Sequence, residues 1–462
     1  MFGFIHNTLY LPINTKHKTM FYREIIKELE QWSNRSNRKP LVMRGARQVG
    51  KTTVVNFFAR QFDCFLSLNL EKDSDRELFE NGTSPEEILT ATYLLKGKTK
   101  QQGKILLFID EIQNSSKAIA MLRYFYEEMP DLRVIAAGSL LETLIDTHVS
   151  FPVGRVEYLA LRPCSFLEFL NAMEEIDLKE AIENTMLPPL LHNRAMKLFN
   201  EYVLIGGMPE AVAIFARNRD MVAIRRIYET LLNGYRDDTE KYAKNDTDKK
   251  VLRHILRYGW LQAGKRIKFE RFANSNYKSR EIGDAMRTLE KAHVLELVYP
   301  TSLTTIPIQP QLQKSPKLLW LDTGMVNYVA NLQMELLGSR DISKTWTGRI
   351  AEHIVGQELL ATSNLVSTKR NFWVREARNS QAEIDFIFYC NGIIVPIEIK
   401  SGDNSRLKSL HLFMEESPGD IAVRFWNNPP SKDKIILPSG KQYTLYNLPF
   451  YYAGNLETVL NN

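Results

Sequence analysis

Between residues 20 and 160, short apolar runs alternate with longer stretches whose apolar positions recur every three or four residues. Short runs bounded by turn residues predict buried strands, and the periodic stretches predict helices. The strand positions are Leu41–Met43, Cys64–Asn69, Ile105–Ile109, Val134–Ala137 and Val156–Leu159. Strands alternating with helices are the pattern of an α/β unit on a parallel sheet. The first periodic helix starts at Met20, so residues 1–19 read as an extension that the fold does not need. From 163 to 245 the pattern is helical, broken at Gly206-Gly207-Met208-Pro209. Helices at Val251–Leu261, Phe269–Ala273 and Ser279–Ala292 are predicted next, then a strand at Val294–Tyr299. That order suits a winged-helix module, and the prolines from Pro300 to Pro316 mark a loop or hairpin. A helix at Gly348–Ala361 precedes apolar runs at Phe372–Arg375, Glu383–Tyr389 and Ile393–Lys400, then a helix near Leu407–Met414.

The first candidate chemistry lies where strand Leu41–Met43 gives way to helix Thr52–Phe62. The connecting residues Gly45, Ala46, Arg47, Gln48, Val49, Gly50, Lys51, Thr52 and Thr53 spell a complete phosphate-binding loop, G-x-x-x-x-G-K-T. Its glycines allow successive N–H groups to turn toward an anion, and the helix start adds its positive dipole end. Lys51 then serves the β- and γ-phosphates of ATP, and the Thr52 hydroxyl serves Mg²⁺.

A second apolar strand, Lys104 to Ile109, ends in Asp110 and Glu111. In a parallel sheet, strand C-termini face the ligand crevice. Asp110 is the candidate for the Mg²⁺ shell, and Glu111 for polarising the attacking water. Ser139, just past the next strand, either touches the γ-phosphate or the lytic water, or simply caps a helix. Arg155 is the candidate arginine finger. It would act in cis or on a neighbouring subunit, with a surface ion pair as the alternative.

Composition adds limits. The 462 residues are too many for one core and predict about three domains. A net charge of +6 is compatible with nucleic acid and decides nothing alone. Cys64, Cys164 and Cys390 are far apart, lack metal-ligand spacing and suit reduced thiols in a cytoplasmic protein. No apolar run has the length of a membrane span, and the first nineteen residues lack the features of a signal peptide.

Gly45–Thr53, Phe108-Ile-Asp-Glu111, Gly154-Arg155, Leu161-Arg-Pro-Cys-Ser-Phe166 with Glu168-Phe169, and Gly206-Gly-Met-Pro-Glu210 occur in this order. Together they resemble a group of prokaryotic AAA+-type ATPases carrying a C-terminal domain of unknown function. The resemblance spans about residues 20 to 450. It implies a five-stranded core of order 5-1-4-3-2, a helical lid and a winged helix. Leu321-Asp-Thr-Gly324 also resembles a segment of that family, with no chemical role evident.

A second constellation lies near the C-terminus. Glu398 and Lys400 alternate along one strand, so they share a face, and Asp385 on the preceding strand can join them. Glu352 lies on the helix that starts at Gly348. Oxygen ligands at such a cluster suit Mg²⁺ or Mn²⁺, with the lysine stabilising charge or orienting water. Glu352, Asp385, Glu398 and Lys400, with Ser401-Gly402 following, resemble the PD-(D/E)xK nuclease fold, although Ile384 stands where that motif has proline.

The expected architecture is therefore α/β: an extension at 1–19, a P-loop AAA+ core at 20–162, a helical lid at 163–245, a winged-helix-like part at 246–335 and a restriction-endonuclease-like domain at 340–455. The expected function is ATP binding and hydrolysis coupled to the nuclease-like domain, in nucleic-acid processing or defence. DNA or RNA and a second copy of the chain are candidate partners. The alternative is a signalling switch or scaffold whose C-terminal domain only recruits a partner.

Overall fold

A computed structural model describes residues 21–100, 103–138, 151–238, 243–333, 348–377, 380–400 and 407–462. The first sheet holds β1 (Leu41–Arg44), β2 (Cys64–Asn69), β3 (Ile105–Asp110), β4 (Arg133–Ala137) and β5 (Glu157–Ala160). All are parallel, in the order β2-β3-β4-β1-β5. Read from the other edge this is the expected 5-1-4-3-2. Strands buried on both faces read as unbroken apolar runs, because alternate residues feed different cores. On β3, Leu106 and Phe108 join the core that holds Met43 and Val55. Leu107 and Ile109 join the opposite core with Leu66 and Phe79.

After β5 the chain is helical, as the pattern predicts: Phe166–Ala172, Ile176–Glu183, His192–Ile205, Pro209–Asn218 and Met221–Asp237. A reciprocal cap starts the first of these. The Ser165 side chain accepts from the Glu168 N–H, and the Glu168 carboxylate accepts from the Ser165 N–H. Helices Asp246–Tyr258 and Ser279–Lys291 follow, with a short turn at Phe272–Asn274 between them.

The second sheet has eight strands: β6 (Leu295–Thr301), β7 (Lys317–Trp320), β8 (Asn371–Ala377), β9 (Ser380–Cys390), β10 (Ile393–Ile399), β11 (Ile421–Trp426), β12 (Ser431–Ile436) and β13 (Gln442–Pro449). Their order is β12-β13-β11-β10-β9-β8-β6-β7. β6 pairs antiparallel with β7 and parallel with β8, so this sheet bridges the expected boundary between residues 335 and 340. One apolar core likewise runs from Cys164 to Leu460. Residues 1–19, Ser139, Ser401 and Gly402 lie outside the described residues.

Candidate functional site

The phosphate loop leaves the C-terminal end of β1. Gly45 has φ 151° and Gly50 has φ 96°. At Gly45 a side chain is also excluded sterically, since a Cβ would sit 2.3 Å from the Leu161 carbonyl oxygen. Lys51 opens the helix Lys51–Phe58, and its ammonium donates to the carbonyls of Gly45 and Ala46, each at 2.9 Å. The Thr52 hydroxyl donates to the Asp110 Oδ2 at 2.7 Å. Asp110 ends β3, and its Oδ1 accepts from the Glu111 N–H at 3.1 Å. Glu111 takes the left-handed conformation (φ 54°), and its carboxylate accepts from the Gln113 side chain. The structure thus gathers Lys51, Thr52, Asp110 and Glu111, as the two motifs predict.

Electrostatics sharpen the picture. Burial pushes the Lys51 ammonium down to about 8, against the pull of Glu111 and Asp110. Burial also raises the pKa of Asp110 and of Glu111, outweighing their hydrogen bonds. A bound polyanion would return Lys51 toward an ordinary lysine. ATP binding above pH 8 should therefore take up a proton, and affinity should fall as pH rises from 8 to 10. Calorimetry in buffers of different ionisation enthalpy reads this directly. Proton release, or affinity rising over that range, would show that Lys51 does not meet the phosphates as a cation.

Residues that no motif flagged also hold the loop. Buried Arg23 donates to the Val49 carbonyl at 3.2 Å and to the Arg162 carbonyl at 2.8 Å. Its Nε lies 2.9 Å from the Glu168 carboxylate. Arg47 pairs with Asp238 at 2.5 Å, and Tyr235 donates to the Arg47 carbonyl at 2.9 Å. These contacts fasten the loop to helix Met221–Asp237. A lone arginine or tyrosine in a periodic helix carries no signal of such a role.

Arg155 lies away from the phosphate loop. Its Nε lies 3.1 Å from Glu127, which also pairs with Arg123. Arg155 precedes β5, where Glu157 registers with Leu41 at the start of β1, whereas the loop departs beyond Arg44 at the end of β1. Parallel pairing places Arg155 at the opposite end of the strands from Lys51, and its contact with Glu127 is the surface ion pair that stood as the alternative to an arginine finger.

The C-terminal constellation also assembles, but around a residue the sequence did not reveal. Lys317 of β7 is 2% exposed. Its ammonium lies 3.2 Å from Glu352, 2.9 Å from Glu383 and 3.6 Å from Asp385. It also stands over the rings of Phe372 and Phe386. Burial opposes its charge, yet Asp385, Glu352 and Glu383 hold it well above an ordinary lysine. Glu398 pairs with Lys400 at 2.5 Å through one oxygen, while its buried Oε2 has no hydrogen-bond partner. Asp385 accepts from the Ile399 N–H at 2.8 Å. Burial, then Asp385, pushes both Glu352 and Glu398 up to about 7. Among the described residues no three His, Cys, Asp or Glu side chains are arranged to hold a metal ion, and the Lys317 ammonium faces Glu352, Glu383 and Asp385.

The segment Leu321–Gly324, which had no chemical role, joins the two sites. Asp322 accepts from the Gly207 N–H at 2.5 Å and the Met325 N–H at 2.9 Å. Gly324 packs so closely that a Cβ would sit 2.3 Å from the Ile205 carbonyl oxygen. Thr323 bonds to His353 at 2.8 Å and to Gln357 at 2.9 Å. Gln357 donates to the Tyr202 hydroxyl at 3.2 Å, and Tyr202 donates to Glu358 at 2.6 Å. His353, Gln357 and Glu358 lie on helix Gly348–Ala361, which also carries Glu352. At the other end of this web, a Cβ on Gly50 would touch Pro209 at 3.6 Å.

Residues 37–170 match a family model described as an AAA domain. Residues 196–336 and 347–447 match two models described only as domains of unknown function. No curated protein matches the chain. Among solved structures, a Walker-type ATPase of Pyrococcus abyssi is similar at 14% identity, over 69% of this chain and 99% of that one, with a TM-score of 0.43. A signal-transduction ATPase with a tetratricopeptide repeat sensor from Pyrococcus horikoshii is similar at 13% identity, over 76% of this chain and 50% of that one, with a TM-score of 0.28. The Drosophila origin recognition complex, solved with AT-rich DNA and Cdc6, gives 12% identity, 68% and 91% coverage and a TM-score of 0.22. No described helix is long and apolar enough to cross a membrane. The parallel sheet, the loop at its C-terminal edge and the match over residues 37–170 together make the N-terminal third a P-loop domain of the AAA ATPase type.

Proposed function

We propose that the chain is a nucleotide-driven machine in which ATP bound at Gly45–Thr53 controls the C-terminal part through the buried web described above. The observation that carries this reading is the shared cluster of Lys51, Thr52, Asp110 and Glu111 at one sheet edge. Its donor set fits Mg²⁺-ATP: a buried ammonium for the phosphates, a hydroxyl bonded to a carboxylate for the ion, and a second carboxylate beside them. Thr52 and Asp110 would hold the ion, which would neutralise phosphate charge. The chain's own residues do the rest. Lys51 binds and orients the terminal phosphates, and Glu111, raised by burial, is poised to take a proton from water.

A winged-helix reading of residues 246–335 is supported by helices Asp246–Tyr258 and Ser279–Lys291 followed by the antiparallel β6–β7 pair. A nuclease-like reading of residues 340–455 is supported by helix Gly348–Ala361, antiparallel β8-β9-β10 and the parallel β10–β11 pair, with Asp385 on β9 beside Glu398 on β10. On this reading the protein processes nucleic acid or acts in defence, in the cytoplasm and in contact with other copies of itself.

One observation favours the second reading, in which the C-terminal part only recruits a partner. Lys317 sits within the carboxylate cluster and supplies the positive charge that a catalytic ion would otherwise supply. The discriminating experiment incubates the pure protein with ATP, Mg²⁺ or Mn²⁺, and labelled DNA or RNA. Cleavage that disappears in Asp385→Ala supports processing. ATP turnover without cleavage supports recruitment, and absence of turnover supports a scaffold that keeps ATP as a structural ligand.

A further inference from the structure

The net charge of +6 conceals a steep asymmetry. Residues 249–280 carry ten Lys and Arg against the single acidic Glu270, a net of +9, so the remaining chain is net −3. The charge is also outward. On helix Asp246–Tyr258, Lys250, Arg253 and Arg257 are exposed and spaced three and four apart, which aligns them on one face. Beyond that helix, Lys268, Arg271, Lys278 and Arg280 are exposed as well.

His254 joins the two parts of this surface. Its Nε2 lies 3.4 Å from the Phe272 carbonyl oxygen, and its ring packs on Tyr277 at 5.6 Å and Tyr258 at 5.0 Å. Arg271 precedes Phe272 and Lys278 follows Tyr277, so the loop's charges continue those of the helix face. Tyr258 is 44% exposed among them. Arg266 lies 3.5 Å from Glu383, and Arg280 lies 3.7 Å from Asp284. Apolar positions of the same helix, Val251, Leu252, Ile255 and Leu256, are fully buried, so the basic face is the one left to solvent.

We infer that this face binds the phosphate backbone of duplex DNA. Self-repulsion among clustered cations is relieved by a polyanion of regular charge spacing, and counterion release then drives binding. The charges sit on a helix and on a separate loop rather than in a closed pocket, which suits two phosphate strands better than one small anion. An exposed tyrosine among the cations adds a ring to pack on sugar or base edges. The inference rests on the nucleic-acid reading above and names its partner and surface.

Fluorescence anisotropy with a labelled 25-base-pair duplex, titrated between 50 and 200 mM salt, tests it. The logarithm of the affinity should fall linearly with the logarithm of salt, at about −0.9 per phosphate neutralised. Arg253→Ala with Arg257→Ala should weaken binding at least about tenfold and reduce that slope by about 2. The double variant should keep the wild-type melting temperature and ATP affinity, because both side chains are exposed and belong to neither site. Lys51→Ala should bind the duplex normally without nucleotide, which separates a failed DNA surface from a failed ATP site. Wild-type binding by the double variant would overturn the assignment. So would tighter binding of single-stranded DNA, or equal binding of an acidic peptide of matched charge.

Discussion

Glu111→Gln is expected to lower steady-state ATP turnover by at least about a hundredfold while leaving ATP affinity within about threefold. The amide fills the same space and can still accept from the Gln113 side chain, so the turn after β3 should persist. Asp110 and its bond to Thr52 are untouched, so the ion-binding pair stays in place. What disappears is the group able to take a proton from water. Burial already raises Glu111 above an ordinary glutamate, which brings it closer to neutrality, where a general base works best. Single-turnover kinetics beside calorimetry separate the two quantities. Turnover within a few fold of wild type would transfer the role to another residue.

Lys317→Met is expected to destabilise the chain by about 3–5 kcal/mol at pH 8, as for a buried ion cluster that loses one partner. The methionine fills the volume between Phe372 and Phe386 but leaves Glu352, Glu383 and Asp385 facing one another without the ammonium. The loss should depend on pH. Glu352 and Glu398 have folded pKa values pushed up to about 7, above an unfolded value near 4.5. A carboxyl raised in this way contributes stability below its unfolded pKa and loses it as pH rises through the folded value. Removing Lys317 raises the carboxyl pKa values further and deepens the loss at pH 8. At pH 5, where Glu352 and Glu398 can protonate, the variant should recover much of the difference. Urea unfolding at both pH values measures it. Equal destabilisation at pH 5 and pH 8 would mean that the cluster is not held by charge.

The same sign applies to Asp322, pushed up to about 6, and Glu358, pushed up to about 7, both chiefly by burial. Both lie in the web between the Gly206–Pro209 turn and helix Gly348–Ala361. Their raised values mean that part of the web's bonding is made against a desolvation cost. Such residues persist where they fix one arrangement of packed elements.

The ATPase core was legible because its signals are local. A glycine loop between an apolar run and a periodic helix, and a strand ending in two carboxylates, each fit within about a dozen residues. The C-terminal carboxylates were legible for a similar reason, since strand alternation sets Glu398 and Lys400 on one face. Lys317 was not legible. It sits in a four-residue strand after a proline-bordered loop, and its partners are 35 to 68 positions away in sequence. β12 was missed for a different reason: Ser-Lys-Asp-Lys-Ile-Ile is a charged edge strand with no apolar alternation, the kind that discourages pairing with another chain. Arg23 and Asp322 act largely through backbone carbonyls and N–H groups distant in sequence, contacts that leave no mark in a pattern of apolar positions. The strip at 249–280 was visible as letters, but its orientation toward solvent required the buried face of helix Asp246–Tyr258.

All of this depends on ATP binding by Lys51 and its loop. Calorimetric titration of ATP with Mg²⁺ into the full chain and into Lys51→Ala tests it most directly. Saturable binding is expected for the wild type and at least about tenfold weaker binding for the variant, about 1.4 kcal/mol or more, with the melting temperature of the ATP-free protein preserved. Equal affinity in the two proteins, with both folded, would contradict it.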